Sequence, residues 1–123
     1  MGAGSIARGR DWEDRAAIYL SGRGLDILAR TYRCRLGELD LVCRDGNTLV
    51  IVEVKARRND RHGSAAETVR AAKQQRILKA TRHFLMRHPQ WNDAPIRFDV
   101  VAIDGIDGRE PVIQWIRNAF DAA

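Results

Sequence analysis

Cysteine is scarce in this chain: Cys34 and Cys43 are the only two among 123 residues, and no Cys-x-x-Cys pair is present. A disulfide framework and a thiolate zinc site are therefore not expected, and both thiols read as small core or strand residues in a reducing compartment. The three histidines, His62, His83 and His88, share no zinc-ligand spacing with them. Long hydrophobic runs are missing, so no membrane span or membrane partner is expected. The opening Met1-Gly2-Ala3-Gly4-Ser5-Ile6 lacks the apolar region of a signal peptide, and Ile6 stands where a myristoylation signal wants Ser or Thr. These absences lead to the expectation of a cytoplasmic protein. Internal repeats, low-complexity segments and long linkers are absent as well.

Negative charge is also in deficit. Lys and Arg number 21 against 16 Asp and Glu, giving a net charge of +5 and a pI near 9.9. That balance suits a polyanion such as nucleic acid, although a basic, soluble surface alone would produce it too. Hydrophobic content of 45% and charged content of 30% fit a globular chain. At this length one domain is expected over residues 1–123, with a core from about 8 to 120.

The first helix is expected from about Ser5 or Arg8 to Leu20, with Trp12, Ala16, Ala17 and Leu20 as its apolar stripe and Gly22 and Gly24 after it. Three strands should follow: Ile27 to Arg33, the Gly37–Val42 run and the Val50–Lys55 run. A polar loop, Arg57 to Ser64, then leads into a long helix from about Ala66 to Met86, closed by His88-Pro89. Ile96 to Ile103 reads as a strand. Val112 to Ile116 reads as a short last strand, with a helical turn at Asn118-Ala119-Phe120. The order α-β-β-β-α-β-β predicts an α/β fold, a central mixed sheet covered by helices on both faces.

The chemistry concentrates in Gly37-Glu38-Leu39-Asp40-Leu41-Val42 and Val50-Ile51-Val52-Glu53-Val54-Lys55, which set charges on apolar strands, where bare charge is costly. Between them lies the turn signal Asp45-Gly46-Asn47. If Gly46-Asn47 is a two-residue loop, Asp45 pairs with Thr48. Asp40 then falls opposite Glu53, Glu38 falls opposite Lys55, and all four charges share a face. Opposed carboxylates repel, and a divalent cation between them turns repulsion into binding. Such a pair suits Mg²⁺ or Mn²⁺ and phosphodiester cleavage, with Lys55 placed to orient water or to stabilise phosphorane charge.

Other residues have two readings each. Glu13, on the apolar stripe of the first helix, is a partly exposed acid or a further metal-centre carboxylate. Glu38 is a strand-end partner of Lys55 or an additional acid near the metal. Lys73 falls on the inward line of the long helix with Ile77, Ala80 and Phe84, and either snorkels outward or reaches the catalytic face. Gln74 and Gln75 share that ambiguity, and Arg76 contacts phosphate or solvent. Arg57, Arg58, Arg61 and His62 form either a solvated loop or a phosphate clamp beside Lys55. Asp99, in an apolar strand, reads as a hydrogen-bond anchor. Trp12, Trp91 and Trp115 read most simply as packing residues.

Gly9, Glu13, Gly37-Glu38-Leu39-Asp40-Leu41, Val52-Glu53-Val54-Lys55-Ala56-Arg57, Gly63, Lys73, Arg76-Ile77 and Arg97-Phe98-Asp99-Val100-Val101 together resemble the bacterial YraN family. Those are small uncharacterised proteins regarded as nuclease-like. The likeness covers roughly residues 8 to 120. Trp12 stands where the family usually has a small residue, and Leu39 replaces a common Ile. The family is similar in turn to archaeal Holliday junction resolvases and the restriction-endonuclease-like superfamily. The resemblance implies that superfamily's three-layer fold and a metal and catalytic set of Asp40, Glu53 and Lys55. It also implies Glu13 as the matching first-helix acid, while Lys73 or Gln74 falls where such members place a further polar residue. The expected activity is metal-dependent DNA endonuclease action, on branched substrates and as a homodimer if two symmetric strands are cut. A non-cutting nucleic-acid-binding module of the same fold and an interaction adaptor in DNA processing stand as alternatives.

Overall fold

Asp45-Gly46-Asn47 turns the chain as its residues dictate, with Gly46 at φ +60° and Asp45 paired with Thr48. Around this hairpin the computed structural model, which describes residues 3–58, 69–106 and 110–121, builds three layers. Helix α1 (Ala3–Ser21) is followed by strands β1 (Asp26–Cys34), β2 (Gly37–Asp45) and β3 (Thr48–Arg57). Helix α2 (Ala71–Arg87) and a short 3-10 turn (Pro89–Trp91) lead to β4 (Ile96–Asp104) and β5 (Val112–Phe120). The sheet order is β1-β2-β3-β4-β5. β3 and β4 are parallel, joined through α2, and the other pairs are antiparallel. The expected mixed sheet and element order are therefore present.

Strand alternation divides the core into two halves. Leu41, Cys43, Val50, Val52, Val101 and Ile103 pack with Ala16, Ala17 and Leu20 of α1. Val42, Leu49, Ile51, Phe98, Val100 and Ala102 pack with Ile77, Leu78, Ala80 and Phe84 of α2. Two apolar sheet faces each need a cover, and one amphipathic helix supplies each. Cys43 is fully buried, and burial, then the charge of Asp99, pushes its thiol up to about 12. Among the described residues, no helix is long and apolar enough to cross a membrane.

Two boundaries differ from the sequence expectation. Helix α2 starts at Ala71, after Arg70 in an extended conformation at φ −68°, ψ 158°, and the expected start near Ala66 lies outside the described residues. At the C-terminus the expected helical turn is absent, and β5 continues to Phe120. Asn118 adopts φ +53° and donates its N–H to Asp99 Oδ1 at 2.9 Å. Phe120 stacks on Phe98 with centroids 5.1 Å apart. These contacts hold the segment on β4, with a register shift between Phe98 and Val100. Asp99 is the anchor that the sequence suggested: fully buried, it accepts from Arg97 Nε at 2.9 Å and Trp115 Nε1 at 2.9 Å.

Both edge strands are irregular. β1 shifts register between Ile27 and Ala29, and Thr31 has φ +49°. A β-branched residue in that region is a backbone outlier. On β1, Ala29 and Tyr32 both pack toward α2, and opposite them so do Val42 and Leu39. Two residues three apart share a face only if the alternation is interrupted between them. Thr31 on β1 and Asp40 on β2 lie at that interruption.

Candidate active site

β2 and β3 are paired from Asp45 opposite Thr48 to Leu41 opposite Val52, and the ladder stops there. Asp40 opposite Glu53 and Glu38 opposite Lys55, the next pairs in that register, are not formed. The Asp40 carboxylate itself accepts the Val54 N–H, at 2.9 Å from Oδ2. A side chain thus replaces the main-chain partner, and the sheet forks. Glu38 turns to β1 and pairs with Arg33 at 3.3 Å, both well exposed. The proposed pairing of Glu38 with Lys55 is replaced by this contact, because the fork removes β2 from beside Lys55.

The fork lets residues from both covering helices reach one cavity of about 200 Å³, lined by Trp12, Glu13, Asp40, Glu53, Val54, Ala56 and Lys73. Trp12 and Glu13 come from α1 and Lys73 from α2. Glu53 is 5% exposed, and its Oε1 makes an ion pair with Lys73 Nζ. The Thr31 hydroxyl donates to Glu13 Oε1 at 2.9 Å. A larger cavity of about 390 Å³ adjoins, lined by Arg33, Cys34, Gly37, Glu38, Lys73, Arg76 and Ile77. Lys73 lies in the wall of both.

The charges are strongly perturbed. Burial, then the negative charge of Glu53, raises Asp40 to about 8 against the pull of its Val54 hydrogen bond. Glu13 adds to the rise and Lys73 opposes it. Lys55 is held below the ordinary lysine value by burial and by the neighbouring Lys73 ammonium, with Glu53 resisting. Burial also works against charged Lys73, but its hydrogen bond and attraction to Glu53 prevail and raise it. Asp40, Lys55 and Lys73 are thus shifted together at one opening in the sheet, a concentration typical of functional sites.

Of the basic residues singled out in the sequence, Arg76 lines the larger cavity. Arg57 binds Asp104 through Nε at 2.6 Å and Nη2 at 3.0 Å, which ties the end of β3 to β4. Arg58 is exposed directly after β3, and Arg61 and His62 lie outside the described residues. Gln74 donates to the Val69 carbonyl at 2.9 Å, a contact at the start of α2. Two site residues escaped the sequence reading. Thr31 reads as an ordinary β-branched strand residue, and nothing in its type announces a positive φ. Arg33 looked like one more strand charge, and its link to Glu38 needed the hairpin register.

Among the described residues, no group of three or more His, Cys, Asp or Glu side chains is gathered so as to hold a metal ion. Asp40 and Glu53 nevertheless suit Mg²⁺ or Mn²⁺. Both offer hard oxygen ligands, and such ions are commonly held by one or two carboxylates, with water and substrate phosphate completing the shell. Burial and then the Glu53 charge disfavour ionised Asp40, a penalty that a bound cation would offset.

The family model described as Uncharacterised protein family UPF0102 matches residues 12–103. The chain is 48% identical over 114 residues to UPF0102 protein NE0719 of Nitrosomonas europaea, covering 93% of both chains. It is 45% identical to a UPF0102 protein of Pseudomonas fluorescens, again over 93% of each chain. It is likewise 45% identical to UPF0102 protein PA4424 of Pseudomonas aeruginosa, over 94% of this chain and 93% of the other. These names carry a family and no activity.

Proposed function

The chain belongs to the uncharacterised protein family UPF0102, the YraN family, and we propose that it is a metal-dependent DNA endonuclease acting on branched DNA. The observation that carries this reading is the fork itself. Asp40, Glu53 and the Glu53–Lys73 pair meet where β2 leaves β3. A sheet gains nothing in stability from two adjacent acids and a missing ladder, so this arrangement calls for a functional cause.

In this reading Asp40 and Glu53 hold Mg²⁺ or Mn²⁺, with Glu13 on the same cavity wall. The bound ion supplies Lewis-acid polarisation of a phosphate oxygen and a more acidic water. Lys55 orients the attacking water and donates to the charge that builds on the phosphorane oxygens. Lys73 balances Glu53 and reaches toward the strand. The net charge of +5 supports DNA as the polyanion, with Arg58, Arg61 and Arg76 as backbone contacts, while Arg57 is held by Asp104. Cutting two symmetric strands of a junction calls for a homodimer.

A non-cutting nucleic-acid module of the same fold is favoured by one observation: Lys73 already neutralises Glu53. The deciding experiment incubates labelled linear, nicked, flapped and four-way-junction DNA with Mg²⁺ or Mn²⁺, beside Glu53→Gln. Cleavage by the wild type alone supports the endonuclease. Salt-sensitive binding without cleavage in either metal supports the module.

A further inference from the structure

The larger cavity holds neither Asp40 nor Glu53, although Lys73 and Arg76 of the reading above line it. It lies between the β1–β2 turn and the first two turns of α2, and three cations, Arg33, Lys73 and Arg76, line it against one carboxylate, Glu38. Glu38 lies 3.3 Å from Arg33 and helps to orient that guanidinium. The wall is built closely. Gly37 sits at φ +155°, and a Cβ there would stand 2.9 Å from the Arg76 carbonyl oxygen. The hairpin turn therefore rests directly on the α2 backbone, and only glycine permits that approach.

Lys73 connects this basic cavity to the carboxylate cavity, since it lines both. One strand passing the carboxylates would meet Arg33 and Arg76 next. We propose that the cavity of Arg33, Gly37, Lys73 and Arg76 is a phosphate subsite, receiving a backbone phosphate of the DNA strand adjacent to the one at Asp40 and Glu53. This rests on the reading of the fork as a nucleic-acid site and names where the rest of the strand is gripped. Arginine's planar fork matches phosphate oxygens, which explains two arginines around a position that lysine alone would grip less specifically.

The test is the salt dependence of DNA binding in EDTA, where no strand is cut. Wild type, Arg33→Gln/Arg76→Gln and a control pair, Arg82→Gln/Arg87→Gln, are titrated into a fluorescein-labelled oligonucleotide from low to high salt. The control residues are exposed on the C-terminal half of the same helix. Each lost phosphate contact lowers the slope of log K against log salt by roughly 0.7 on single strands and 0.9 on duplex. The expected result is a slope reduced by about 0.7 to 0.9 in the first double variant, one phosphate's share, and unchanged in the control. Arg76→Gln alone should give part of that change, and circular dichroism verifies folding.

An unchanged slope in the first variant, an equal loss in the control, or no DNA binding by the wild type overturns the subsite. Cleavage in Mn²⁺ is scored separately. Wild-type cleavage with an unchanged slope overturns the subsite and leaves the nuclease standing. A reduced slope without any cleavage supports the subsite and rejects the nuclease.

Discussion

The Thr31 hydroxyl donates to Glu13 Oε1 at 2.9 Å from a backbone held at φ +49°. The bond ties β1 to α1 at the point where β1 switches the face it presents. It also fixes the acid that lines the Asp40–Glu53 cavity.

A left-handed conformation costs an ordinary residue about 1–2 kcal/mol, so Thr31 carries both strain and a useful bond. Thr31→Val keeps the shape and removes the donor, and should lower stability by about 1 kcal/mol. Thr31→Asn tolerates the left-handed region and retains a polar group. It should recover that loss and add up to about 1 kcal/mol. Urea denaturation of the two variants beside the wild type measures both. A Thr31→Asn protein as unstable as Thr31→Val would contradict the strain.

The raised Asp40 carboxyl makes a pH prediction with a definite sign. Its value is about 8 in the folded protein against an ordinary 3.8. Between these limits the folded state binds more protons than the unfolded state. The stability this group contributes is therefore complete below about pH 4 and is lost as pH rises through about 8. The slope is at most about 1.4 kcal/mol per pH unit. Asp40→Asn should flatten this part of the profile. Urea titrations in EDTA from pH 5 to 9 compare the two proteins, and parallel profiles would refute the burial of that charge.

Lys73 and Glu53 should behave as a coupled pair. Removing one partner of a buried ion pair costs about 3–5 kcal/mol. Lys73 is 36% exposed, so solvent screening reduces the expected loss for Lys73→Met to roughly 1–2 kcal/mol. Adding Glu53→Gln removes the stranded charge and should restore most of it. Added Mn²⁺ should raise the melting temperature of Lys73→Met more than that of wild type, because no ammonium competes for Glu53. A double-mutant cycle with no coupling would reject the pair.

Turn chemistry and alternation made part of this legible in advance. Asp45-Gly46-Asn47 announced the hairpin, and the Asp45–Thr48 pairing followed from it. The apolar runs identified the strands, and Asp99 was recognisable as an acid too buried to stand alone. The fork was not legible, because it depends on a side chain competing with the main chain for one N–H. Asp40 wins the Val54 donor, and no residue type announces that outcome. The extension of β5 was hidden for a similar reason. Asn118 and Phe120 are held by partners about twenty residues away on β4, whereas local pattern alone suggested a helical turn.

The two kinked margins of the sheet have a consequence for colonies of this protein in a crowded cell. An open strand edge is a template on which a second chain can add itself, and long flat edges invite aggregation. Here β1 is broken by its register shift and by Thr31, and β5 by its own shift and by Asn118. Neither margin offers an unbroken row of donors and acceptors for a stranger to zip onto. If the chain pairs to cut two symmetric strands as proposed, the two copies are expected to dock through helices or loops, leaving their sheets unjoined.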